Sequence, residues 1–216
     1  MLENLRYFPC FFALISSVIG LLNWTKLPNY KSKLFLFTII LSVATEILGL
    51  YFTKWTGLLN FYVFNFYIFI LFFLYFYVLA SILKKYAYKV IAFLFIIIYL
   101  VAITVSILFH QEKLGTGILS EIYALAVLFF IILSLMYLIE LFNSNHVLHY
   151  SKSIFFWFLL GVLLFHVPFL PFMLSLEWFL IEYNPSIYWI IIFILNLIMN
   201  VCFSIGFIWT EKKYNY

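Results

Sequence analysis

The stretch LSVATEILGLYF, Leu41–Phe52, is apolar almost throughout and carries a single acidic residue, Glu46. A carboxyl group in such a run can hold a proton, exchange a hydrogen bond or attract a cation. A charged side chain at the centre of a membrane helix costs about 2.5–3.5 kcal/mol on insertion scales, so it marks a functional site or a buried pairing. Polar side chains able to answer Glu46 recur on other apolar stretches. NFYVFNFY supplies Asn60, Tyr62, Asn65 and Tyr67. At helical spacing Tyr62 and Asn65 share one face, and Asn60 and Tyr67 another. Glu121 and Tyr123 open a further run, His166 stands in GVLLFHVPFLP, and Asn196 and Asn200 stand in LNLIMN.

Each of these residues also has a plainer reading. Glu46 and its neighbours can form a polar network that only locks a bundle. Glu121 can be a solvated residue at the membrane surface, as can Glu140. His166 titrates in a range suited to a proton relay or pH sensor. It can equally bond a carbonyl freed by Pro168 or Pro171, which are expected to bend or unwind that region. Asn196 and Asn200 can tie helices together or line a pocket.

Several chemistries are excluded. All eight acidic residues are glutamate. There is no H-E-x-x-H zinc motif, no G-x-S-x-G nucleophile motif and no paired-glutamate protease motif. No run of Lys, Arg and His offers a grip for phosphate. A retinal Schiff base needs a lysine in the last apolar run, and IYWIIIFILNLIMNVCFSIGFIWT has none. Two cysteines are too few for a disulfide scaffold or a cysteine metal site. Cys10 and Cys202 fall at different depths and should not pair. No metal site or cofactor is expected, and the chain reads as non-enzymatic. The cations are scattered over short loops, which argues against nucleic acid as a partner.

The elements that hold these residues follow from composition. With 68% hydrophobic and 9% charged residues and a mean hydropathy of +1.17, the chain reads as an all-α polytopic membrane protein. Its partner along most of its length is the lipid bilayer. Transmembrane β-barrels show alternating segments of ~10 residues, which are absent. Apolar runs of about 20 residues recur instead, each able to cross a bilayer as a helix. Seven spans are expected: Leu5–Asn23, Leu34–Phe52, Asn60–Leu83, Tyr88–Phe109, Leu119–Phe142, Ile154–Leu176 and Ile187–Thr210. They form a single transmembrane domain over residues 1–216. TKLPNYKSK, TKWTGLL, KKYAYK, HQEKLGTG, NSNHVLHYSKS and EWFLIEYNPS separate them. Trp24, Trp55, Trp157, Trp178, Trp189 and Trp209 fall near span ends, where indole prefers the headgroup region.

Small and hydroxylated residues mark the faces that meet other helices. They are Ala13, Ser16, Ser17 and Gly20 in the first span, and Thr38, Ser42, Thr45, Glu46, Gly49 and Thr53 in the second. The fourth has Tyr88, Ala92, Tyr99, Ala102 and Ser106, and the seventh Asn196, Asn200 and Ser204. Glu46 therefore faces protein or a cavity.

Orientation follows from the basic residues. Nine lysines fall on one side (Lys26, Lys31, Lys33, Lys84, Lys85, Lys89, Lys152, Lys212, Lys213) and Arg6, Lys54 and Lys113 on the other. The positive-inside bias puts the N-terminus outside and the C-terminus in the cytoplasm, in a multi-pass protein of the bacterial inner membrane. Glu46, Asn60, Tyr62, Asn65, Tyr67, Glu121 and His166 then gather in the outer half, which suggests a pocket opening outward.

ATEILGLYF, followed by NFYVFNFYIFILFFLYFY and a late FFWFLLGVLLFH, resembles a group of uncharacterised seven-helix membrane proteins of Bacteroidetes-type bacteria. The resemblance implies the same topology and, through some relatives, a link to sensory systems. The residues and the resemblance together suggest a membrane sensor or accessory signalling subunit. It would bind a ligand or proton near Glu46 and be read by a membrane or cytoplasmic signalling partner. The alternative is a small-molecule or proton-coupled transporter.

Overall fold

The computed structural model describes residues 5, 7–27, 29–144, 147–174 and 185–214, with side chains from 188 in the last segment. Every regular element among the described residues is helical. Eight α-helices are described: α1 (Phe8–Leu22), α2 (Tyr30–Thr56), α3 (Phe61–Ile82), α4 (Tyr86–Phe109), α5 (Gln111–Thr116), α6 (Ser120–Phe142), α7 (Ile154–Leu174) and α8 (Pro185–Trp209). Short 3-10 turns cover Trp24–Lys26, Val147–Lys152 and Lys212–Tyr214.

Six helices, α2, α3, α4, α6, α7 and α8, are long and apolar enough to cross a membrane. The chain is thus a multi-pass helical membrane protein. α1 is apolar but has 15 residues, about 22 Å at 1.5 Å per residue, against a hydrocarbon core of about 30 Å. It starts at Phe8 with Pro9 in its first turn, where a missing N–H costs nothing. It stops at Asn23, whose side-chain amide donates to Ile19 O at 2.9 Å.

The punctuation read from sequence falls where the helices break. Gly57 follows α2 with φ of +73°, a left-handed turn that favours glycine. Its N–H donates to Thr53 O at 3.0 Å, closing the last turn. α7 stays helical through Pro168 and Pro171 to Leu174, so the region is not unwound there. Residues 175 and 176 of the expected sixth span, and Trp178, lie outside the described residues. Trp24 follows α1, Trp55 sits at the end of α2, Trp157 lies in the first turn of α7, Trp189 lies near the start of α8, and Trp209 ends α8. Cys10 and Cys202 are not joined in a disulfide.

The chain divides into two compact units, Met1–Val43 with Asn145–Tyr216, and Ala44–Ser144; α2 contributes to both. In the first unit, α8 packs along α7 and α1. The buried side of α1 is Pro9, Ala13, Ser16, Ser17 and Gly20, the small-residue stripe expected from sequence. Phe35 of α2 is buried against Phe158, Phe203 and Phe207, with ring centroids 4.4, 5.0 and 5.5 Å away. A methyl group on Gly161 would stand 2.9 Å from Phe203 and 3.1 Å from Met199 O, so glycine sets the α7–α8 distance.

In the second unit, α3 packs against α4 and α6. Its core is aromatic: Phe72, Phe76, Tyr99 and Phe130 are fully buried. The Tyr99 ring meets Phe76 edge-on at 5.3 Å, and its hydroxyl donates to Ile68 O at 3.3 Å. The buried side of α4 includes Ala92, Tyr99 and Ser106, as the sequence stripe indicates.

Candidate functional site

Glu46 lies on α2, whose apolar length is bracketed by Lys33 and Lys54. It is eight residues from Lys54, about 12 Å along the helix axis, and so well inside the apolar length. Thr38 and Thr45 are buried, as is Gly49; Ser42 and Glu46 are half-buried, and Thr53 is exposed. The inward stripe therefore runs from Thr38 to Gly49 and ends before Thr53. Among the described residues, Glu46 has no hydrogen-bond or ion-pair partner.

The two asparagines at the start of α3 bond backbone groups and not Glu46. The Asn65 amide nitrogen donates to Leu114 O at 3.0 Å and Gly117 O at 2.8 Å. Its Oδ1 accepts from the Leu119 N–H at 3.0 Å. One buried side chain thus closes the α5 turn by satisfying three backbone groups that no helix serves. Tyr62 lies against the same turn, since a methyl group on Gly115 would come within 2.6 Å of its ring. Asn60 donates to Gly49 O at 3.3 Å, tying the start of α3 to α2. Tyr67 is half-buried. Glu121 is exposed and pairs with Lys113 at 3.5 Å, a surface contact worth little.

The remaining three expected site residues lie in the other unit. Asn200 of α8 is buried and accepts from the Ser16 hydroxyl of α1 at 2.6 Å. Its amide donates to Asn196 O at 2.9 Å, and Asn196 in turn donates to Ile192 O at 2.9 Å. Of the two readings offered by sequence, Asn200 takes the one that ties helices together. Ser17 Oγ, beside this seam, is buried with no hydrogen-bond partner among the described residues. His166 is buried on α7, its ring 4.8 Å from Phe165.

A structural contact of Glu140 also escaped the sequence reading. The Glu140 carboxylate accepts from the Lys84 and Lys85 N–H groups, both at 2.8 Å. These amides precede α4, so a side chain of α6 caps α4 where no local residue does. Nothing in the Glu140 neighbourhood announces a partner 55 or 56 positions away.

Two clefts are described. One, of about 620 Å³, is lined by Thr25, Lys26, Ser151, Lys152, Ile208, Trp209, Thr210, Glu211 and Lys212. The other, of about 470 Å³, lies over Leu108–Lys113. None of the nine expected site residues lines either cleft. Among the described residues, no three His, Cys, Asp or Glu side chains gather as a metal-ligand set. The fold thus gives a clamp around Asn65, a seam around Asn200 and, among the described residues, a carboxyl at Glu46 without a hydrogen-bond or ion-pair partner. Comparison with family models, with curated proteins and with solved structures finds no match.

Proposed function

We propose that this chain is a non-enzymatic membrane sensor or accessory subunit, and that Glu46 is the group through which it engages what it senses or joins. The observation that carries this reading is a carboxyl inside the apolar length of α2 that meets no partner among the described residues. A polar group at that depth costs several kcal/mol when unanswered. A proton, a polar ligand or a partner helix would each lower that cost. In this reading α1 completes a seven-helix bundle in the bacterial inner membrane, with the N-terminus outside. The Glu46 side then opens outward, and Lys31, Lys33, Lys84, Lys85 and Lys89 face cytoplasmic partners or anionic lipid. The resemblance to seven-helix proteins with links to sensory systems leans the same way.

The test is photo-crosslinking in native membranes from a reactive group placed at Ile47 or Leu50, in the parent chain and in Glu46→Leu. A discrete adduct that disappears in Glu46→Leu supports the reading. Crosslinks to lipid alone, identical in both chains, refute it. A proton-coupled transporter is the second reading, favoured by the same carboxyl inside the apolar length of α2. It requires substrate or proton flux in proteoliposomes that Glu46→Gln abolishes.

A further inference from the structure

The larger cleft gathers residues that the sequence scatters. Lys26 follows α1, Lys152 precedes α7, and Lys212 follows α8, yet all three line one cavity with Thr25, Ser151 and Thr210. Backbone and side-chain contacts hold the walls together. Lys26 Nζ donates to Ile208 O at 3.3 Å, and the Glu211 N–H donates to Lys152 O at 3.2 Å. The Trp157 indole N–H donates to Ser151 O at 2.7 Å.

The charge balance decides what such a cleft can hold. Glu211 is its only acid and is taken up by Lys152, Nζ to Oε1 at 2.6 Å. The C-terminus of α8 adds about half a negative charge, and Lys26 already meets one of its carbonyls. Three ammonium groups against one carboxylate and that partial charge leave the lining positive. Lys26 keeps further N–H donors, since an ammonium carries three, and Lys212 is exposed and outside any ion pair among the described residues. The hydroxyls of Thr25 and Ser151 add neutral donors beside them. Cations with hydroxyl donors suit the oxygens of a phosphate.

The surroundings favour a phosphate that carries a lipid tail. Ile208 and Trp209 line the cleft and are themselves exposed, as are Leu22 and Trp24 at the adjoining end of α1. Apolar surface that runs directly into a basic cleft matches an acyl chain continuous with a phosphodiester headgroup.

We propose that this cleft binds a phosphate group, held chiefly by Lys26 and Lys212, with Lys152 and Glu211 as its structural wall. The proposal is independent of Glu46. The full chain is purified in neutral detergent. Phosphatidylglycerol retention is then read by native mass spectrometry, and thermal melting is followed against inorganic phosphate. Lys26→Gln/Lys212→Gln leaves the Lys152–Glu211 pair intact, and Lys54→Gln/Lys113→Gln removes the same charge elsewhere.

The parent and the control should retain phosphatidylglycerol, and the cleft variant should bind it about tenfold more weakly, a 1.4 kcal/mol change, with unchanged helix content. Retention that excess inorganic phosphate does not displace identifies the lipid headgroup as the source. A saturable phosphate-induced melting shift, lost in the cleft variant without lipid retention, identifies a soluble phosphate. The proposal is overturned if the cleft variant matches the parent in both measurements, or if the control loses as much as the cleft variant.

Discussion

Asn65 and Glu46 are polar side chains set into apolar helices of the same compact unit, and the fold treats them in opposite ways. Asn65 is buried and spends both amide donors and its carbonyl on the α5 turn. Glu46 is half-buried and meets no partner among the described residues. From sequence the two look alike, because each interrupts an apolar run. The contrast teaches that polarity within a membrane helix does not by itself mark function. What separates the two is unmet hydrogen-bonding capacity. A satisfied amide holds the fold together, while an unsatisfied carboxyl is open to something outside the chain.

The most direct way to break this contrast is to remove Asn65. Asn65→Leu strands Leu114 O, Gly117 O and the Leu119 N–H, each costing about 1–3 kcal/mol if buried and unanswered. The α5 turn is partly wet, so a loss of about 3–4 kcal/mol is expected. Equilibrium unfolding in mixed micelles measures it. A loss under about 1 kcal/mol would mean that water replaces the amide and the clamp is incidental.

Glu46→Leu should move the other way. Removing an unanswered carboxyl at that depth should stabilise the isolated chain by up to about 2–3 kcal/mol. If Glu46→Leu instead destabilises the chain as Asn65→Leu does, Glu46 has a partner within the chain and the contrast collapses. Asn200→Ala sharpens the comparison from the other unit. It removes one hydrogen bond between α1 and α8, and such bonds average about 0.6 kcal/mol and reach about 1.7 in membrane proteins. A loss of about 1–2 kcal/mol is expected. Ser16→Ala should cost less, because Asn200 keeps its bond to Asn196 O.

Why some of this was legible in sequence and some was not follows from where the partners lie. Helix ends were readable where the signals are local: Gly57 after α2, and Lys84 and Lys85 before α4. The inward side of α1 was readable because Ala13, Ser16, Ser17 and Gly20 repeat at helical spacing. The length of α1 was not, since hydropathy alone ran the span out to Leu5. The role of Asn65 was hidden because its partners are backbone atoms 49 to 54 residues away, and backbone atoms leave no mark in a sequence. The same holds for Glu140. Lys26, Lys152 and Lys212 were counted as topology signals, and only the fold shows that they share a cleft.

The smallest expected effect lies in that cleft. Lys152 has its pKa raised above the ordinary lysine value, chiefly by its hydrogen bond to Glu211 and then by the charge of that carboxylate. A raised lysine pKa contributes stability that is fully present below the unfolded value, about 10.4, and is lost as pH rises through the folded value. On the lysine side the pair should therefore hold through neutral pH and weaken in strongly alkaline solution. Glu211→Gln should return the Lys152 titration, followed by NMR of the labelled side chain, toward its ordinary range, with little change in unfolding near neutral pH. If the titration stays raised in Glu211→Gln, another acid reaches Lys152. The ion pair would then not be what fixes that wall of the cleft, and Lys152 would join Lys26 and Lys212 as a group able to meet an anion.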